Sequence, residues 1–144
     1  MIAETAQDLL DRVKAITSNK FGITVKRVGL AAGGTAIDPT MEKVEYPAAW
    51  VIYVSDQTVD PSDQGSCGGA MVKLNFVVKI IVNYDNEKDL IDNQYPLLVE
   101  VIRAVNGQQG PTQSKRWKYE GQSIDELTSN RIVFDQRYSI STIL

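Results

Sequence analysis

The chain has no histidine, and its 144 residues include one cysteine, Cys67. The missing histidine removes the side chain that most often serves as a general base near neutral pH, and the commonest metal ligand. A single cysteine excludes an internal disulfide and suits a reducing compartment. No window is apolar for the roughly 20 residues that a membrane-spanning helix requires. An excess of positive charge is lacking too. Lys and Arg number 15 against 18 Asp and Glu, a net charge of -3, unlike the basic balance usual for domains that grip nucleic acid. The opening stretch, MIAETAQDLLDRVKAI, is acidic and amphipathic and does not have the pattern of a signal peptide. Length, 43% hydrophobic residues and 23% charged residues suit one globular domain with one core, expected to span 1–144.

What is present is dominated by Met71 to Asn83, MVKLNFVVKIIVN. Val72, Leu74, Phe76, Val78, Ile80 and Val82 are apolar without exception, while the alternate positions mix Lys73, Asn75 and Lys79 with apolar residues. A period of two with β-branched enrichment predicts a strand with one face in a core and one half wet. The run exceeds the usual strand of about five or six residues, so it reads as a central strand or one that projects from its domain.

Ile2, Ala6, Leu9, Leu10, Val13 and Ile16 recur at helical spacing and predict an amphipathic helix stopped near Asn19 to Gly22. Ile23 to Leu30 has strand composition. Ala31 to Glu45 is expected to be a long loop or a loosely held hairpin tip. Ala48 to Val54 predicts a strand behind Pro47, with Trp50, Ile52 and Val54 on one face and Val51 and Tyr53 on the other. Ser55 to Gly69 reads as a second long loop, the tip of a hairpin arm if its two flanking strands pair. A second helix is expected from Glu87 to Asn106. Its main stripe would be Ile91, Tyr95, Leu98, Ile102 and Val105, widened by Leu90, Leu97 and Val101. Pro96 inside it requires a kink or a fresh start near Tyr95. Lys115 to Gly121 reads as a short strand and Asn130 to Ile143 as a half-buried closing strand. The order predicts an α+β fold: one antiparallel (mixed) sheet with two helices packed on it and long loop or hairpin extensions.

Chemistry is hard to place on this pattern. Cys67 in SCGG has no histidine to hold its thiolate, so a plain thiol is the better reading. The glycines at 33–34 and 65–69 precede no helix, unlike phosphate loops. Asp56, Asp60 and Asp63 lack the spacing and closing Glu of a calcium loop, so they read as a solvated acidic loop. The acids from Asp85 to Asp92 suit helix capping. Lys115, Arg116 and Lys118 interleave with Trp117 and Tyr119, which could track a nucleic-acid strand. An amphipathic strand with aromatics inward and cations outward explains them better in an acidic chain. No catalytic, cofactor or metal-ligating residues are expected. What remains is a modest core with long strands and long polar loops, and a strand that outruns its sheet offers backbone groups to another copy. Head-to-tail use of such a surface generates a ring when the rotation closes.

Taken together, the chain resembles the tail terminator (tail completion) proteins of long-tailed bacteriophages, including the Mu-like contractile-tail group. The resemblance rests on the opening helix, YPAAWVIYV from Tyr46, the long strand ending NYD at Asp85, LLVEVIRAVNG from Leu97, KYEG at Lys118 to Gly121, and RIVFDQRYSIS at the end. It implies a non-enzymatic virion protein, made in the host cytoplasm. Such a protein forms a ring, usually a homohexamer, on the last ring of the tail tube and stops the tube's growth. Implied partners are other copies, the tail tube protein, a head-tail connector or neck protein, and in contractile tails the sheath. Genomic DNA would pass the lumen without sequence-specific binding, and no membrane is involved. Assembly contacts are expected in the loops Ala31 to Glu45 and Val54 to Gly69 and near them. The residues singled out are Gly33, Gly34, Asp56, Thr58, Val59, Asp63, Gln64, Lys73, Lys115 and Arg116. Rival readings are a head-tail joining ring protein, a small enzyme using Asp85 or Asp135, and a nucleic-acid module centred on Lys115 to Tyr119.

Overall fold

A computed structural model describes residues 2–16, 25–31, 45–59, 71–111 and 113–143. They form an α+β fold with one five-stranded mixed sheet. Helix α1 is Ile2–Lys14, β1 is Arg27–Ala31, β2 is Ala48–Thr58 and β3 is Met71–Asn83. A three-part helix follows: α2 (Glu87–Asp89), a π segment (Leu90–Gln94) and α3 (Tyr95–Val105). Strands β4 (Lys118–Leu127) and β5 (Arg131–Ile143) complete the chain.

The sheet order is β1-β2-β3-β5-β4, so the expected central strand lies in the middle. Strand β3 pairs antiparallel with β5 along its whole length and with β2 from Ile81 to Val72. All six residues on its apolar face are buried in the main core. Helices α1 and α3 close that core through Leu9, Leu10, Val13, Leu97, Leu98, Val101 and Val105. Burying each large side chain contributes about 1.5–3 kcal/mol. Phe76 is the hub, edge-on to both Tyr53 and Trp117 with ring centroids 5.7 Å away in each case. The sheet's other face carries a smaller cluster of Trp50, Ile81 and Val133, with Tyr46 packed against it. Arg27 lies over the Trp50 ring at 4.9 Å, and Arg131 over Tyr46 at 5.5 Å. These cations shield rings that have no helix above them among the described residues.

Four expectations need correction. Ser55 to Thr58 are strand, not loop, because the long β3 supplies a backbone partner to each: Ser55 faces Asn75 and Thr58 faces Val72. The polar side chains of SDQT hide this, since ladder bonds do not depend on them. Strand β1 is Arg27–Ala31, so Val25 and Lys26 of the expected strand lie outside it; its parallel pairing with β2 gives the mixed sheet that was expected. Strand β4 begins at Lys118 and continues to Leu127, where the expected strand ran from Lys115 to Gly121. Finally, Ile91 and Tyr95 do not continue the buried helix stripe; they are 62% and 45% exposed.

Pro96 explains that last shift. Tyr95 N–H bonds to the Leu90 carbonyl five residues back, giving one wide π turn before α3 restarts with Pro96 in its first turn. There the missing proline donor costs nothing. The extra residue rotates everything upstream by about 100° relative to an uninterrupted helix. Asn86 caps the first piece by accepting the Asp89 N–H at 2.9 Å, and of the acids expected to cap this end Asp89 accepts the Asp85 N–H at 3.1 Å. Gly107 follows α3 at φ 77°, the left-handed ending that favours glycine. The expected positions Gly33, Gly34, Asp60, Asp63, Gln64 and Cys67 lie outside the described residues.

Candidate assembly surface

Several charged and phenolic side chains of the described residues are held in structural pairs. Lys79, on the sheet face away from the helices, reaches Asp125 Oδ2 and Asp135 Oδ1, each at 2.8 Å. This one ammonium links β3, β5 and β4. Burial alone would lower its pKa, but the hydrogen bonds and charges of the two aspartates outweigh that and leave it raised. Glu120 accepts a hydrogen bond from Ser139 Oγ at 2.6 Å and lies 3.4 Å from Lys73 Nζ. The Ser139 bond, against some desolvation and helped by Lys73 and Lys118, holds its carboxyl below the usual range. Tyr53 OH donates to Asp56 at 2.7 Å, which raises the phenol's pKa.

A groove of about 410 Å³ lies between α1 and α3, lined by Arg12, Ile16, Glu100, Arg103 and Gln108 among others. Arg12 is held by Asp8 at 3.0 Å, and Arg103 lies 3.4 Å from Glu100. No nucleophile with an adjacent base lines it, so it lacks the converging acid and base of a catalytic cleft. Among the described residues no three His, Cys, Asp or Glu gather as a metal site. No described helix is long and apolar enough to cross a membrane. Asp85 and Asp135, the acids of the enzyme reading, are apart: Asp85 N–H donates to Asp89 near the helix start, while Asp135 holds Lys79.

The basic-aromatic stretch folds with its rings inward. Trp117 is 1% exposed and Tyr119 packs against the core, while Lys115, Arg116 and Lys118 face solvent. Arg116 Nη1 donates to the Gly107 carbonyl at 2.8 Å. Several expected assembly residues meet at one end of the sheet. Thr58 pairs with Val72, Val72 with Thr142, and Thr142 with Ser114. Asp56, Val59, Lys73 and Lys115 sit on or beside this row, with Lys115 N–H bonded to the Ser141 carbonyl. Residues far apart in sequence thus share one rim because the far end of the β2–β3 pair, the last residues of β5 and the segment before β4 end together.

The chain shares its fold with a chain of the virion of the native gene transfer agent (GTA) particle. The TM-score is 0.61, over 99% of this chain and 97% of that one, at 12% sequence identity. Identity this low speaks for fold alone. No family model matches the sequence, and no curated protein matches it.

Two exposed apolar features have no counterpart in the sequence reading. Strand β4 is exposed along Gln122 to Leu127, with Ile124 at 56% and Leu127 at 62%. Along the second helix Ile91, Tyr95 and Val99 face outward at 62%, 45% and 43%. Between Gln122 and Glu126 the one apolar residue is Ile124, so no alternation marks this part of β4 as strand, and the bulge at Asp125 puts Ile124 and Glu126 on opposite faces. The helix signal was hidden, since the π turn reassigns which residues share a face.

Proposed function

We propose that the protein is a structural virion component of the tail terminator kind. It forms a ring on the last ring of a phage-like tail tube, stops the tube's polymerisation and offers its other side to the neck. The observation that carries this reading is a likeness of fold along the whole chain to a chain of a virion particle. The resemblance of the sequence to tail terminators points the same way. The described residues are compatible with it: their ionic groups brace the sheet, and large exposed apolar side chains remain on its edge and on the helix.

On this reading the work is done by matching surfaces, with no covalent step. The rim of Asp56, Thr58, Val59, Lys73 and Lys115, together with Arg116 beside α3 and the segments around Gly33, Gly34, Asp63 and Gln64, meets neighbouring copies or the tube. DNA passes through the ring without sequence-specific contact. The test is co-sedimentation of the purified protein with cognate tail tubes and, separately, with head connectors, combined with negative-stain microscopy. Rings on tube ends support the terminator role. Binding to connectors alone would assign it to head-tail joining, and binding to neither would end both roles.

A further inference from the structure

The ring reading leaves open which surfaces join one copy to the next. Among the described residues, strands β1 and β4 are the two outer strands of the sheet. Register can be followed across all five strands. Arg27 pairs with Ala48, Ala48 with Ile81, Ile81 with Val133, and Val133 with Glu126. Arg27 and Glu126 therefore end the same cross-sheet row. Paired residues point to the same side, so both lie on the face away from the helices. The next row runs Val28, Ala49, Ile80, Phe134, Ile124 and lies on the helix face. One edge thus presents a cation on the open face and an apolar residue on the helix face. The other presents an acid and an apolar residue at the same heights.

Neither charge is otherwise satisfied by an ion pair among the described residues; Arg27 stacks on Trp50 and bonds the Val28 carbonyl. Exposed apolar side chains flank both charges on the helix face: Leu30, 53% exposed, on β1, and Ile124 and Leu127 on β4. Direction fits as well. Strand β2 runs with β1, β3 against β2, β5 against β3 and β4 against β5, so β1 and β4 are antiparallel. Copies related by a rotation alone would bring β4 of one beside β1 of the next in the favourable antiparallel sense. Irregularities at Glu120 and Asp125 break the β4 edge into short regular runs. Such breaks discourage indiscriminate pairing and leave a specific partner to match charge and side-chain height.

We propose that the β4 edge of one copy adds to the β1 edge of a second copy, head to tail, with Glu126 opposite Arg27 and Ile124 beside Val28. The sheet then continues from protomer to protomer around the ring. This rests on the ring reading and names the contact that builds it.

The test compares the wild type with Arg27→Glu, Glu126→Arg and the double reversal, by light scattering across a concentration series and by microscopy on tail tubes. Both side chains are exposed, so circular dichroism should show all four proteins folded. Each single reversal places like charges together and should weaken assembly at least about tenfold. The double reversal restores opposite charges and should regain it. Rings that survive both single reversals overturn this contact and leave the ring reading standing. So does a double variant as defective as the singles. Rings that stay intact while Glu126→Arg loses the tube would give the β4 edge to the tube protein, again overturning the proposal. A wild type that is monomeric both alone and on tubes overturns contact and ring together.

Discussion

Trp117 Nε1 donates a hydrogen bond to Asp8 Oδ2 at 2.8 Å, and the same oxygen accepts Arg12 Nε at 3.0 Å. One carboxylate in α1 thus fixes both its own helix turn and the buried indole that leads into β4. Trp117 is 1% exposed, so removing its acceptor leaves a donor without water. Asp8→Ala should destabilise the fold by about 1–3 kcal/mol. Asp8→Asn keeps an acceptor and should lose less. Urea unfolding followed by tryptophan emission measures both.

Gly29 is the place where β1 makes room for Trp50. A Cβ there would stand 2.6 Å from Trp50 Cζ3, closer than carbon atoms pack. Gly29→Ala should cost about 1–3 kcal/mol through displacement of the indole. The cost should fall when Trp50 is itself truncated to alanine, a coupling that a double-mutant cycle in urea would expose. Equal costs in the two backgrounds would mean the glycine serves its backbone alone.

Gln136 carries a buried polar network. Its Nε2 donates to the Leu98 carbonyl at 3.0 Å and to Gln122 Oε1 at 3.1 Å, while its Oε1 accepts the Tyr138 hydroxyl at 2.7 Å. Burial beside Tyr119 pushes the Tyr138 phenol up, so that hydroxyl stays a donor in need of an acceptor. Gln136→Leu fits the volume and strands the hydroxyl, and should lose about 1–3 kcal/mol. Pairing it with Tyr138→Phe should recover part of that loss, as a lower Tm for the single variant than for the pair.

The pH dependence has two limbs of opposite sign. Glu120 titrates lower folded than unfolded, so its contribution is present above the unfolded carboxylate pKa and is lost as pH falls through the folded one. Lys79 titrates higher folded, so its contribution is complete below the unfolded lysine pKa and is lost as pH rises through the folded one. Stability should therefore be flat near neutrality, with Glu120→Gln reducing the acid slope and Lys79→Met the alkaline slope. Denaturation midpoints across pH for the three proteins would show it. An unchanged alkaline slope in Lys79→Met would remove that lysine from the account.

The elements that sequence made readable are those whose pattern their own burial wrote. Strand β3 alternates without fault because one face is core along its full length, and its limits at Met71 and Asn83 follow directly. The stripe of α1 is equally plain. The second half of β2 was not readable, since Ser55 to Thr58 are strand by virtue of a partner and not of their side chains. The outward turn of Ile91 and Tyr95 depends on one extra residue in a helix turn, which no spacing rule anticipates. At the surface, the inward rings of Trp117 and Tyr119 were legible from alternation. The rim shared by Thr58 and Lys115 was expected piecemeal, but its unity needs the register. The row from Arg27 to Glu126 needs four registers in succession, and no local pattern holds that information.

Every residue of β3 has a cross-strand neighbour on β5, and most have a second on β2. From Val72 to Ile81 the strand cannot open without dismantling the sheet on both sides. Its amides should be the last to take up deuterium, on the timescale of global unfolding, while those of β1 and β4 exchange through local fraying. A ring that shielded these outer amides would then leave its mark as slowed exchange at the rims and none at the centre.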